Sequence, residues 1–490
     1  MDRRSFIGKQ LGDHAIPTPA AVLDRAVVQR NCDNMLQSVQ AMHLGWRAHV
    51  KTHKTIELTR LQVGDELPVQ LIASTLLEAE RLLPLLQSYQ EAGRSVNLLY
   101  GFPLYAAAVP RLADVARQLG PDGVSVLVDH ADQVAVAQQL AQEAAVAIRA
   151  FIKINVGSHR AGAVPGSPQC EAVMQAMLAA HASTDSRLTL YGLYCHAGHS
   201  YDARAPWAAM AHLVSEFTLL GDAASAVRKM AESTLGPAAA ALPLVLSVGA
   251  SPTAATLQHP GLGGLESAND AGSTGSANST PNVATLRTKL ANLASEGYTL
   301  EVHAGVQPVL DLQQLATHSW NPAGRAETDD LAMTILVDVA SVYAGRGAHE
   351  SDEVLVNAGC LALGREAVKN VPVTPGSGAL YAGWGIVRPW LSGGSNIVPP
   401  GADFPRLPPA DGKEGWWQVD RISQEHGILA WAGGSTAPLP ASTPQLGQRL
   451  SIWPNHACIA SACFGYYLIT DSTSEDPSRI VDVWERWTGW

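Results

Sequence analysis

The segment WRAHVKTHK concentrates basic side chains on a short run with the composition of a β-strand. Side chains of a strand alternate between its two faces, so Arg47, His49 and Lys51 share one face. If the other, apolar face contacts helices, Lys51 points inward at the carboxyl end of the strand, where barrel enzymes have their active sites. A buried lysine has a lowered pKa and suits Schiff-base formation. Lys54 has the opposite parity and is the weaker candidate, and a solvated basic turn is the alternative for the whole segment.

A second candidate site is the pair His456 and Cys458 in SIWPNHACIA. On a strand, residues i and i+2 share a face, so both donors are predicted to reach one metal ion. Imidazole plus thiolate favours zinc over magnesium or calcium. Two protein ligands suit an open catalytic site, in which water or substrate completes the coordination shell. The alternative is two core residues on a β-strand.

Two further segments have the composition of a cofactor site. YCHAGHSY places Tyr194 and His196 on one face at a strand end, where such groups orient a cofactor ring; a satisfied polar loop is the alternative. The segment GASPT at 249–253, with Gly305, is typical of the two loops with which barrels hold a phosphate. Combined with an inward Lys51, these loops predict pyridoxal phosphate as the cofactor.

Eight short β-rich runs alternate with Ala/Leu/Gln-rich stretches through the first two thirds of the chain, and this alternation predicts βα units. Their number and span match an α/β fold, a (β/α)8 TIM barrel. No G-x-G-x-x-G follows the first strand, which argues against a dinucleotide-binding open sheet, although a doubly wound sheet stays the alternative. The runs are 46–52, 70–75, 96–100, 124–129, 150–155, 189–196, 244–248 and 299–303.

After the barrel, short β-branched and aromatic runs bounded by Gly and Pro predict a C-terminal mainly-β domain. We assign residues 25–325 to the barrel, and residues 1–24 with 326–490 to the β-rich domain that carries the metal site. The run AAVLD near the N-terminus is expected to join that domain. Residues 261–281 are almost all Gly, Ser, Ala, Asn and Thr, so we expect a disordered insertion there.

Composition limits the class of protein. A formal net charge of −11 provides no basic field for nucleic acid or an anionic membrane. No stretch of about 18 apolar residues predicts a membrane span. The N-terminus lacks the features of a secretory signal. Six scattered cysteines fit a reducing compartment. We therefore expect a cytoplasmic protein with a small-molecule substrate.

Several of these segments resemble the eukaryotic, fungal-type D-serine dehydratases. That family belongs to the alanine-racemase-like, fold type III pyridoxal phosphate enzymes, which also include D-threonine aldolase. The matching segments come in the family's order and span about residues 17 to 490. They are RAHVKTHKT, STLLEAE, FIKINVGSHRAG, YGLYCHAGHSY, LSVGASPT, RISQEHGIL and PNHACIA.

The resemblance implies a role for each matching site residue. Lys51 would be the Schiff-base lysine and would also remove the Cα proton. The other cofactor residues would surround the ring or hold the phosphate; they are Arg160, Tyr194, Tyr201, Ser251, Thr253 and Gly305. The zinc ligands would be His456 and Cys458, and the thiolate favours a dehydratase over an aldolase.

The expected function is therefore zinc- and pyridoxal-phosphate-dependent dehydration of D-serine to pyruvate and ammonia, with zinc activating the β-hydroxyl. The alternatives are a D-threonine aldolase, a D-3-hydroxyaspartate dehydratase and a non-catalytic pyridoxal phosphate carrier. The resemblance also implies a homodimer. The sequence departs from the family after Gly305, where GVQP replaces a Gly-Asn-Tyr type segment, so a phosphate contact there is in question.

Overall fold

The computed structural model describes residues 2–204, 207–262, 280–318, 320–321, 324–325, 328–368, 381–388, 416–432 and 443–490. Its chain divides into two compact units. The barrel unit comprises residues 33–305, 317–324 and 489–490, and the β unit comprises residues 1–32, 306–316 and 325–488. Of the predicted disordered insertion, residues 263–279 lie outside the described residues.

Eight parallel strands close into a barrel in sequence order, which confirms the predicted (β/α)8 fold. Each predicted run contributes one strand, with ends shifted by a few residues. The barrel strands are β2 Gly45–His49, β3 Val69–Ala73, β4 Val96–Pro103, β5 Val124–Val128, β6 Ile148–Lys153, β7 Leu188–Tyr194, β8 Val245–Val248 and β9 Thr299–Ala304.

Helices follow the barrel strands, and their first turns contain the expected capping residues. Thr75 accepts a hydrogen bond from the Glu78 N–H at 3.2 Å, and the Glu78 carboxylate accepts one from the Ser74 N–H at 2.6 Å. The pair is a variant of the capping box, because Glu78 bonds the residue before the N-cap Thr75, and it accounts for the segment STLLEAE. The helices are α1 Arg25–Ala41, α2 Ile56–Val63, α3 Leu76–Glu91, α4 Val109–Leu119, α5 Asp132–Ala144, α6 Pro168–Ala182, α7 Ala208–Leu235, α8 Ser251–Ala255, α9 Thr280–Ser295, α10 Leu312–Ala316, α11 Cys360–Leu363 and α12 Ala457–Ala460.

The β unit contains a nine-stranded sheet in the order β13-β16-β15-β14-β17-β12-β1-β18-β19. The early run AAVLD forms β1, which pairs antiparallel with β12 and parallel with β18, so its predicted place in the β-rich part is confirmed. The strands outside the barrel are β1 Ala20–Asp24, β10 Trp320–Asn321, β11 Gly324–Arg325, β12 Met333–Tyr343, β13 Glu353–Val356, β14 Gly385–Arg388, β15 Trp416–Ile422, β16 Gly427–Ala432, β17 Arg449–Pro454, β18 Tyr466–Thr470 and β19 Asp482–Glu485.

Residues 306–316 belong to the β unit, although the sequence boundaries place them in the barrel. The reason is hydrogen bonding: the Asp311 carboxylate accepts the Ala457 N–H at 2.8 Å, and the Gln313 N–H donates to the Asn455 carbonyl at 3.0 Å. An apolar cluster of the β unit includes Trp416 and Trp453. Within the described residues, no helix combines the length and apolar composition needed to span a membrane.

Candidate functional site

The carboxyl ends of the barrel strands surround a cavity of about 340 Å³. This volume lies in the range of small-molecule sites. Every lining residue belongs to the barrel unit. Of the residues predicted around the cofactor, the cavity lining contains Lys51, Arg160, Tyr194, Tyr201, Ser251 and Gly305. Their individual roles stay predictions, but the fold brings together side chains from positions 51 to 305 of the sequence.

Lys51 lies in a turn, because strand β2 ends at His49 and the predicted strand 46–52 is too long. The chain turns where the Lys54 N–H donates to the Val50 carbonyl at 2.9 Å, with Lys54 at φ +50°. Lys51 nevertheless lines the cavity, whose lining residues include no carboxylate with which its amine could pair. Lys54 instead pairs with the buried Glu78 carboxylate at 2.9 Å. Of the two lysines, Lys51 is therefore the one available to a ligand.

Arg47, which the sequence places on the same strand face as Lys51, is completely buried inside the barrel. Its guanidinium donates two hydrogen bonds to the Glu301 carboxylate, at 2.7 and 3.0 Å. It also donates to Asn97 Oδ1 at 2.8 Å and Gln70 Oε1 at 2.7 Å. The segment is therefore not a solvated basic turn, because its first basic side chain has exchanged water for a set of protein acceptors.

Tyr194 and His303 form a stacked pair in the cavity wall, with ring centroids 4.3 Å apart and an interplanar angle of 6°. His303 Nδ1 lies 3.1 Å from the Ser247 hydroxyl, whereas its buried Nε2 has no partner among the described residues. The Lys153 ammonium lies 4.6 Å from the Tyr194 ring centroid, within cation–π range. Burial raises the pKa of Tyr194, so its phenol is neutral.

The cavity is cationic, because its lining contains Lys51, Lys153 and Arg160 but no carboxylate. Burial, followed by the charge of Arg160, lowers the pKa of Lys153 to about 8. The wall also contains the phenols of Tyr194 and Tyr201 and three imidazoles. Burial, together with nearby positive charges, lowers the pKa values of these imidazoles well below the usual 6.5; they belong to His49, His196 and His303. Neutral imidazoles among fixed cations suit an anionic ligand such as a phosphate or carboxylate.

Hydrogen bonds to the main chain hold the loop that carries Arg160. The Asp129 carboxylate accepts the Gly162 N–H at 2.9 Å. On the other side of Arg160, the Asn155 side-chain oxygen accepts the N–H groups of Gly157 at 2.9 Å and His159 at 3.2 Å. A loop anchored on both sides limits the positions from which the Arg160 guanidinium reaches the cavity.

The turn at Gly249 carries Ser251 into the cavity lining. Gly249 has φ +146°, and a Cβ there would come within 2.1 Å of the His303 carbonyl, so only glycine fits. Thr253 lies outside the lining, because its buried hydroxyl bonds the N–H of Ala250 at 2.9 Å and the carbonyl of Ala250 at 3.1 Å. Thr253 therefore shapes this turn.

The residues of the cavity fit pyridoxal phosphate. The Lys51 amine suits an aldehyde, and Lys153 and Arg160 suit a phosphate or a phenolate. The unpartnered Nε2 of buried His303 leaves a polar atom for a ligand to satisfy. A Cβ at Gly305 would lie 3.4 Å from Lys51 Cε, so this glycine keeps space beside the amine.

His456 and Cys458 lie in the β unit, but not on a strand as the sequence suggests. Strand β17 ends at Pro454, His456 is the N-cap of helix α12, and Cys458 lies within that helix. The strand-based argument for a shared face is therefore wrong. The two side chains meet all the same, since the helical turn brings Cys458 into hydrogen-bonding reach of the His456 ring.

Carboxylates surround this pair. His456 Nδ1 lies 2.5 Å from Glu366 Oε2, which leaves the other ring nitrogen for Cys458 or a metal. Burial opposes a charge on His456, but Cys458, Asp311 and Glu366 favour it and raise the pKa of His456 to about 10. Among the described residues, no group of three or more His, Cys, Asp or Glu has the geometry of a metal site. An imidazole and a thiolate are the ligand types that zinc prefers in proteins, so the pair stays a predicted zinc site.

Sequence reasoning missed several residues of both sites. His303 and Glu366 lie in none of the motifs, and Lys153 lies within FIKINVGSHRAG without an assigned role, although His303 ends the predicted strand 299–303. The departure after Gly305 is also explained in part, because the Gln307 side chain bonds the Asn31 carbonyl within the β unit. Gln307 is not a lining residue of the cavity.

Comparisons with known proteins agree with this architecture. The family model "Alanine racemase, N-terminal domain" matches residues 23–260, and "Putative serine dehydratase domain" matches residues 332–470. A D-serine dehydratase of Schizosaccharomyces pombe is 32% identical, with coverage of 100% of this chain and 95% of the relative. A D-serine dehydratase of Saccharomyces cerevisiae is 28% identical, with coverage of 97% and 96%.

Among solved structures, a cysteine-to-alanine mutant of D-threo-3-hydroxyaspartate dehydratase in the metal-free form has a TM-score of 0.67. It is 24% identical, and the match covers 98% of this chain and 100% of the other, which demonstrates a shared fold. The dehydratase relatives match both units and not the barrel alone. With 32% identity over its whole length, the chain belongs to the D-serine dehydratase family of fold type III pyridoxal phosphate enzymes.

Proposed function

We propose that this protein dehydrates D-serine to pyruvate and ammonia, with pyridoxal phosphate bound at Lys51. The observation that carries the proposal is the cationic cavity in which Lys51, and not the ion-paired Lys54, presents its amine. Full-length similarity to two D-serine dehydratases supports the substrate and the reaction. The enzyme is then a D-serine ammonia-lyase.

The cavity residues divide the work between binding and proton transfer. When bound, pyridoxal phosphate supplies a carbonyl for the substrate amine and a ring that accepts electron density from Cα. Lys51 Nζ takes the Cα proton. Arg160, Tyr194 and Tyr201 surround the ring. Ser251 and Gly305 hold the phosphate, with Thr253 supporting the turn from behind.

The β unit supplies the metal ligands. His456 and Cys458 would hold a divalent zinc ion, whose Lewis acidity suits a poor leaving group such as hydroxide. The carboxylate of Glu366, at 2.5 Å from His456 Nδ1, orients the imidazole. The metal-free form named for one structural relative supports a metal in this fold.

Replacing the two lysines separately tests the cofactor assignment. Lys51→Ala should abolish both pyruvate formation and the absorbance of the bound cofactor. Lys54→Ala is the matched control: it breaks the ion pair with Glu78 and lowers stability, but should retain both signals. Retention of both signals by Lys51→Ala would refute the assignment.

Product analysis separates the proposed reaction from its rivals. With D-serine and D-threonine as substrates, elimination yields an oxo acid and ammonia, whereas an aldolase releases glycine and acetaldehyde from D-threonine. Faster turnover of D-3-hydroxyaspartate than of D-serine would identify the other dehydratase. Bound cofactor without any turnover would indicate a carrier protein.

Two further expectations belong to this proposal. None of the six cysteines forms a disulfide in the structure, which supports a reducing compartment such as the cytoplasm. The homodimer is proposed by analogy with fold type III enzymes, and sedimentation of the purified protein tests it.

A further inference from the structure

A buried carboxylate contacts the main chain beneath the cavity. Glu216 lies on helix α7 and is 1% exposed. Its Oε1 accepts the Ala197 N–H at 2.9 Å and the Gly249 N–H at 3.2 Å. The Cys195 thiol lies 3.9 Å from the same oxygen. One oxygen atom thus joins the segments that follow strands β7 and β8.

The two joined segments carry side chains of the cavity wall. The first continues through His196 to Tyr201, and the second contains Ser251. They are linked a second time, because His196 Nδ1 lies 2.8 Å from the Gly249 carbonyl. A carbonyl only accepts hydrogen bonds, so Nδ1 carries the proton and the His196 Nε2 lone pair remains for a ligand. The position of Gly249 therefore determines both the loop geometry and the tautomer of His196.

We propose that Glu216 is a positioning residue, which clamps these two segments in the arrangement that binds the cofactor. An apolar side chain would fill the same space but would leave the N–H groups of Ala197 and Gly249 buried without an acceptor. Burial of a carboxylate is unfavourable, and it raises the pKa of Glu216 to about 7, which a residue with only a packing role would avoid. The consequence for cofactor binding rests on the proposed function. The clamp itself, the hydrogen bonds from Ala197 and Gly249 to Glu216, is a property of the protein without cofactor.

Two variants separate the reach of the side chain from its charge. Glu216→Gln removes the charge but keeps a carbonyl oxygen at the Oε1 position. Glu216→Asp keeps the charge but withdraws the oxygen by one methylene, roughly 1.5 Å. If the acceptor at Oε1 is what matters, Glu216→Gln behaves like the parent and Glu216→Asp does not. Val227→Ala, three turns further along α7 and fully buried, controls for general destabilisation.

Amide hydrogen exchange of the apo-protein is the direct measurement. In Glu216→Asp, peptides containing Ala197 and Gly249 should exchange at least about tenfold faster, and pyridoxal phosphate affinity should fall by about tenfold or more, as expected for lost buried hydrogen bonds. Glu216→Gln should stay within about twofold in both measurements. Val227→Ala should lower the unfolding temperature with little change in either.

The inference is overturned if Glu216→Asp exchanges like the parent, or if Glu216→Gln is as impaired as Glu216→Asp. Should Glu216→Asp not fold, Glu216→Leu takes its place with the same expectation. If Glu216→Asp exchanges like the parent while the protein turns over D-serine, the clamp is overturned and the proposed function stands. Failure of the Lys51→Ala test would overturn the proposed function and leave the exchange result standing.

Discussion

The buried ion pair between Arg47 and Glu301 provides a quantitative test of how strand β2 is built. The Arg47 and Glu301 side chains are 0% and 2% exposed, so neither charge is solvated. Glu301→Gln keeps the shape of the side chain but leaves the guanidinium without a counter-charge. Breaking a buried pair costs about 3 to 5 kcal/mol. Because Gln retains one acceptor, we expect a loss near 3 kcal/mol in the free energy of unfolding.

Urea unfolding measures this loss against a matched control. Asp114 and Arg117 form an ion pair at 2.6 Å in which the side chains are 68% and 54% exposed. Asp114→Asn should therefore cost less than about 1 kcal/mol. The comparison isolates burial, since both substitutions exchange a carboxylate for an amide.

Cofactor binding by Glu301→Gln tests whether Arg47 and Lys51 have separate roles. Glu301→Gln should retain the absorbance of the bound cofactor at low temperature, since Glu301 is not a lining residue of the cavity. A stability loss no larger than that of Asp114→Asn would refute the account of Arg47 as a structural cation. Loss of cofactor without loss of stability would refute the separation of the two roles.

Two other predictions concern the metal pair and pH. Cys458→Ser and Glu366→Ala should each weaken zinc binding, the latter by about 10- to 100-fold, as measured by competition with a chromogenic chelator; unchanged affinity in both would contradict the proposed ligands. In the folded state the pKa of Glu216 is raised from 4.5 to about 7. Between these two pH values the folded state keeps the proton that the unfolded chain has lost. The free energy of unfolding should therefore fall by about 3 kcal/mol as pH rises through that interval. Glu216→Gln should lack this component of the pH dependence. Parallel curves of the free energy of unfolding against pH for parent and variant would contradict the prediction.

The barrel was predictable from the sequence because each strand carries its own local signal. Short β-rich runs alternate with helix-forming stretches, and the capping residues Thr75 and Glu78 mark where a helix begins. The end of β2 was not predictable in this way. Lys54 adopts φ +50°, a conformation that is uncommon for a residue with a Cβ, and nothing in the letters VKTHK indicates it.

The metal pair illustrates a different limit. Both His456 and Cys458 stood out by type and spacing, but the strand that was meant to align them ends at Pro454. The pair meets through a helical turn instead. Glu366, which bonds His456, is 90 residues away, and Asp311 is 146 residues from the N–H that it accepts. Contacts at such separations leave no trace in local periodicity, so sequence reasoning identified the candidate pair but not the carboxylates around it.

Depth within the barrel, more than residue type, separates the functions of the basic side chains of β2 and the turn that follows it. Arg47 and Lys51 have the same parity, and alternation alone predicts the same surroundings for both. The structure gives Arg47 five hydrogen bonds in the closed interior, where a permanently charged guanidinium is satisfied by protein groups. It gives Lys51 an open cavity wall without a carboxylate. Exchanging the two residue types would therefore fail at both positions: a lysine at 47 has only three donors for the five hydrogen bonds that Arg47 makes, and an arginine at 51 has no nucleophilic amine.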